Sequence, residues 1–137
     1  MNSALLDFFI IFSLSIPVCL ILDRVWVRTI SSDFYQKYSG YVRGEKSGVT
    51  IFIAYSFLLL GLTFFATYPT VIRGTLASGL ILGSLYGFFF FSTYNLLNAS
   101  TMKRWSFLMV LVDTIWGIAL SAVTVVSTFV VYSRFFG

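Results

Sequence analysis

Histidine is absent from this chain of 137 residues, and cysteine occurs once, at Cys19. Without imidazole there is no Ser-His-Asp arrangement, no histidine general base, and almost none of the ligand sets that mark zinc or haem sites. A lone cysteine excludes an internal disulfide. Charge is scarce as well: Asp, Glu, Lys and Arg make up 10% of the residues, against about 25% in soluble domains. No metal box, phosphate-binding glycine loop or activated nucleophile stands out, so the sequence calls for no cofactor and no metal. An enzyme is the least supported reading; it would need two carboxylates as acid and base on a lipid entering between helices. The net charge of +4 is modest, and nucleic acid is not expected as a partner.

Apolar residues fill the space that charge leaves. They make up 58% of the chain, with a mean hydropathy of +0.93. Four segments have apolar cores, Ala4–Leu22, Val49–Thr67, Leu76–Asn98 and Ser106–Val131. Each reaches the roughly 17–25 residues that cross about 30 Å of hydrocarbon as a helix. The expected fold is all-α, an integral membrane four-helix bundle forming a single domain over 1–137, with spans at about 4–28, 49–67, 76–98 and 106–131. The first segment lacks a basic n-region and a small-x-small cleavage site, and it carries Asp7, so it reads as a retained span. Tyr68-Pro69 marks the outer end of the second.

Between the first two spans, Ser31–Gly48 is the one extended polar stretch. Ser32 is placed to cap a short helix ahead of Asp33, on which Phe34, Tyr38 and Tyr41 share a face while Lys37 and Arg43 lie elsewhere. That is a short interfacial segment, aromatic side down. A loop is the alternative, because Gly40 and Gly44 weaken a helix.

Basic residues are unevenly placed. Arg24, Arg28, Lys37, Arg43, Lys46, Lys103 and Arg104 fall in loops 1–2 and 3–4, against Arg73 and Arg134 on the other side. By the positive-inside rule both termini lie on the non-cytoplasmic side. In that orientation the polar residues of the spans collect in the inner half of the membrane. Asp23 ends helix 1; Tyr94, Asn95 and Asn98 end helix 3; Asp113 lies about 12 Å along helix 4 from Trp105 at 1.5 Å per residue. A carboxylate within an apolar span marks a functional site by default. Both acids are followed by a tryptophan three residues on, Asp23 by Trp26 and Asp113 by Trp116.

Helical spacing gives these residues a common face. Gly79, Gly83 and Gly87 form a small-residue stripe on helix 3, which extended reaches Tyr94 and Asn98, with Asn95 about 80° round. On helix 4 Asp113, Gly117, Ser121, Thr124 and Thr128 follow at steps of three or four, so Asp113 projects from the packed face. On helix 1 Cys19 is one turn from Asp23. Arg24 diverges from its neighbour Asp23 by about 100°, leaving Asn98, Tyr94 or Asp113 as the expected partners of Asp23. The Phe- and Leu-rich faces, including Phe57, Phe64, Phe65 and Phe88 to Phe91, suit lipid or packing.

The order Leu-Asp-x-x-Trp in helix 1, Asp33-Phe34-Tyr35, Thr93-Tyr94-Asn95-Leu96-x-Asn98, Trp105, and Val112-Asp113-x-x-Trp116-Gly117 resembles a bacterial family of small membrane proteins. It is known only as domain of unknown function 2177. The resemblance covers nearly the whole chain and implies four transmembrane helices, with no activity or cofactor. The chain departs from the family's usual Tyr-Asp-x-x-x-Asn in helix 3, where it has Asn95.

Two functional readings follow. In one, Asp23, Trp26, Tyr94, Asn95, Asn98, Asp113 and Trp116 bind a proton, cation or small amphipathic solute for transport, with aromatic walls able to hold a cation. Asp113 is then ionised and paired, neutral and donating, or sharing a proton with Asp23. In the other, the same groups hold helices together in a structural or accessory subunit of a larger membrane complex. Membrane lipid is the expected surrounding partner. A homodimer through the helix 3 glycines would help so small a chain enclose a pathway.

Overall fold

The computed structural model describes residues 3–39 and 47–137. Among these every regular element is helical. Helix α1 (Ser3–Trp26) runs through a π-helical turn (Val27–Ser31) into the short α2 (Ser32–Ser39). Helix α3 (Gly48–Leu62), a second π-helical turn (Thr63–Thr67) and α4 (Tyr68–Arg73) form one continuous rod. Helices α5 (Leu76–Thr101) and α6 (Phe107–Phe135) complete the chain. Four helical stretches are long and apolar enough to cross a membrane: Ser3–Thr29, Gly48–Arg73, Leu76–Thr101 and Phe107–Phe135. The protein is therefore an all-α, multi-pass membrane bundle of four spans. The expected Tyr41 face, Arg43, Lys46 and the glycines 40 and 44 lie outside the described residues, as does the Ser32 side chain.

Local chemistry explains where the helices begin. A hydroxyl ahead of each of α3, α5 and α6 accepts a backbone N–H that has no helical partner. Ser47 accepts from Thr50 at 3.3 Å, Thr75 from Ser78 at 3.3 Å, and Ser106 from Met109 at 3.2 Å. Gly74 stops α4 in the left-handed conformation, at φ 67°, where a Cβ would be strained.

Tyr68-Pro69 does not end the second span, which continues to Arg73. The ring of a proline clashes with the carbonyl four residues back and removes a backbone donor. Here the preceding turn is widened to the π form, with the Tyr68 N–H bonding the Thr63 carbonyl. The wider turn accommodates the ring and the rod carries on. It also turns Thr63, Ala66 and Thr67 inward, all fully buried.

Helix α6 is the axis of the bundle. It packs along α5 and α1, and also meets α2, the second π-helical turn and α4. Lipid tails are as apolar as leucine, so helices in a bilayer gain by close packing and interhelical hydrogen bonds rather than by hiding from water. The α5–α6 seam follows that rule. A Cβ on Gly83 would stand 2.8 Å from the Ala122 Cα and 3.0 Å from the Ser121 carbonyl oxygen. One on Gly87 would strike the backbone of Gly117, and one on Gly117 would strike the Phe91 ring. Gly79 faces Thr70, Val125 and Val126. The large side chains Phe57, Phe64, Phe65, Phe88 and Phe89 point outward instead.

Backbone cannot move aside as a side-chain tip can. Gly87→Ala should therefore lower unfolding stability in detergent by about 1–3 kcal/mol, the usual cost of overpacking. Gly48→Ala, where a Cβ meets nothing within 4 Å, should leave it unchanged. Equal stability of the two variants in a denaturant titration would contradict this seam.

Candidate functional site

Asp113 sits on α6 at 6% exposure, one turn before Gly117, where α5 comes close. Its Oδ2 accepts the Asn95 side-chain N–H at 2.6 Å, and its Oδ1 accepts the Tyr35 hydroxyl of α2. Asn95 is fully buried on α5. Its amide also donates to the Phe91 carbonyl at 2.8 Å, and its oxygen accepts the Trp105 indole N–H at 3.3 Å. One asparagine thereby ties α5, α6 and the turn between them.

Asp23 is half-buried near the end of α1. Its Oδ2 accepts the Tyr55 hydroxyl of α3, and its Oδ1 accepts the Trp116 indole N–H at 3.4 Å. The two Asp-x-x-Trp strings therefore pair crosswise, because Trp116, three residues after Asp113, donates to Asp23. Trp26 and Trp116 also stack face to face, with ring centroids 4.5 Å apart and planes 4° apart. The Trp26 indole N–H is buried without a full hydrogen bond among the described residues and lies beside the Tyr35 hydroxyl. Every described side-chain donor to either acid is neutral: two phenols, an amide and an indole.

Helix α2 covers this end of the layer. The Ser106 N–H donates to the Tyr38 carbonyl at 3.0 Å, pinning α2 to the start of α6. Burial pushes the Tyr35 phenol up from its ordinary value of 10, and the charges of Asp113 and Asp23 push it further. Tyr35 thus stays protonated across the physiological range and serves as a fixed donor.

Asp23, Trp26, Asn95, Asp113 and Trp116 come together in one layer; Tyr94 and Asn98 do not. Tyr94 is 52% exposed and meets the Trp105 ring edge-on at 6.1 Å. Asn98 bonds Met102 through its backbone carbonyl at 2.8 Å, and no described side-chain bond joins it to an acid. The buried face of α5 advances in steps of four, Gly79, Gly83, Gly87, Phe91, Asn95. Each step rotates about 40°, which carries the face onto Asn95 and away from Tyr94. Nor does Asp23 bond Asn98, Tyr94 or Asp113; its partners are Tyr55 and Trp116. Tyr35 and Tyr55 were not singled out by spacing. The signals available were a phenol off the Phe34–Tyr38 face and the lone tyrosine of the apolar α3.

No group of three or more His, Cys, Asp or Glu able to hold a metal occurs among the described residues. The family model described as "Predicted membrane protein (DUF2177)" matches residues 8–130, which include the whole layer. The chain belongs to this family. No curated protein and no solved structure matches it.

Trp116→Phe removes both the indole donor to Asp23 and the matched stack. Circular dichroism should lose the exciton couplet of two parallel indoles, and unfolding stability should fall by about 0.6–2 kcal/mol, the range for an interhelical polar contact plus a ring pair. A couplet surviving in Trp116→Phe would place the stacked pair elsewhere.

Proposed function

We propose that the layer around Asp23 and Asp113 is a proton or cation exchange site that supports transport across the membrane. The observation that carries this reading is the absence of a basic group among the described donors of two neighbouring acids. Two carboxylates ionised together in an apolar bundle would hold two uncompensated negative charges, and neutral donors offset only part of that cost. A proton or a small cation taken up between them balances the charge, and its release restores the empty state. The Trp26–Trp116 stack and Tyr35 close the layer on two sides and fix the orientation of the carboxylates. In the orientation expected from the basic loops, the layer lies toward the cytoplasmic end of the bundle, beneath α2.

A purely structural clamp uses the same hydrogen bonds, and the two readings differ in what an amide does. The test is proton flux into phosphatidylethanolamine–phosphatidylglycerol vesicles, driven by a potassium diffusion potential and read by an internal pH dye. Asp113→Asn and Asp23→Asn keep the side-chain shape and remove the exchangeable charge. Each should reduce flux to the level of empty vesicles while the protein remains folded. Flux that persists at the wild-type rate in both variants leaves only the clamp.

A further inference from the structure

The face of α1 that meets α6 carries Asp7, Ile11, Ser15, Cys19 and Asp23, at strict steps of four. Antiparallel to it, α6 presents Tyr132, Thr128, Thr124 and Trp116. The pairs are direct. The Tyr132 hydroxyl donates to Asp7 at 2.9 Å, the Ser15 and Thr128 hydroxyls lie 3.3 Å apart, and Trp116 donates to Asp23. Cys19 faces Thr124. Ser15, Cys19, Thr124 and Thr128 are all at most 1% exposed. A seam between two membrane spans is usually small or aliphatic; this one is a file of hydroxyls and a thiol with an aspartate at each end.

Two further observations say that the file is not self-sufficient. The hydroxyls of Thr124 and of Thr63 are fully buried and make no full hydrogen bond among the described residues. Thr63 belongs to the π-helical turn that packs on α1, α5 and α6. Buried polar groups left over in this way are ordinarily held by internal water. Ser15 moreover bonds the Ile11 carbonyl at 2.9 Å as well as Thr128, and either hydroxyl is able to be the donor. Such a group passes a proton by rotation, accepting on one side and releasing on the other with no net charge left behind. Asp7 and Asp23 are sixteen residues apart, about 24 Å along the helix, most of the way across the hydrocarbon.

We propose that the α1–α6 seam is a proton path, leading from the Asp23–Asp113 layer through Cys19, Thr124, Ser15, Thr128 and intervening water to Tyr132 and Asp7, with Ile11 as its narrow point. It rests on the reading of the layer as a proton site and adds the route to the opposite face. Ile11 is fully buried between Asp7 and Ser15 and is the one aliphatic member of the α1 file.

The same vesicle assay tests it, with the double variant Ser15→Ala/Thr128→Val. Its side chains are near-isosteric and touch neither Asp23 nor Asp113. Flux at the level of empty vesicles in the folded double variant supports the path. Wild-type flux in the double variant, together with loss in Asp113→Asn, overturns the path and leaves the site standing. No flux in the wild type overturns both. Should the double variant not fold, the single cysteine decides. Infrared spectra of the wild type in deuterated buffer follow the Cys19 S–H, which a proton path exchanges within minutes. An S–H band persisting for hours overturns the path.

Discussion

The bond between Asn95 and Asp113 is the constraint on which the rest of the bundle depends. An acid in hydrocarbon must be supplied with donors by its own protein. At Asp113 one donor is an amide on the neighbouring span, so α5 and α6 must approach until the two side chains touch. That approach is what leaves no room for a Cβ at Gly83, Gly87 and Gly117. The same acid calls in Tyr35 from outside the four spans, and α2 is thereby folded over the end of the bundle. The amide oxygen left over on Asn95 takes the Trp105 N–H, which fixes the turn into α6. One buried carboxyl group thus organises three helices and a turn.

Aspartate and tyrosine are used in the same manner at three places. Tyr35 meets Asp113, Tyr55 meets Asp23, and Tyr132 meets Asp7. A phenol suits this setting, since its ring packs as a large apolar group while its hydroxyl supplies one donor at a distance from the backbone. An arginine would neutralise the acid outright and end any exchange there. Phenols satisfy the carboxylates in geometry without adding a positive charge beside them.

Most of the architecture was legible in the amino-acid order, because length and hydropathy alone set four spans. The inward direction of Asp113 was also legible, from its four-residue spacing to Gly117 and Ser121. What escaped were features decided by contact between spans. Asn95 lies on the packed face only because the small-residue stripe of α5 drifts round the helix as it climbs. Seven residues past Gly87 therefore differs from eight. Tyr55 is invisible because nothing within α3 says which of its faces meets Asp23. The π-helical turns shift the phase of everything after them by one residue, so a regular 3.6-residue wheel misplaces Thr63 and Thr67.

The crosswise pairing of the first and last spans bears on how the chain is made. Asp23 and Trp116 are 93 residues apart in sequence, and Asp7 and Tyr132 are 125 apart. The first span thus enters the bilayer long before its partner has been synthesised. Helices α5 and α6 are joined by a short turn and are able to zip as a hairpin as soon as both emerge. The contacts that tie α1 to α6 therefore form only after α6 has been made.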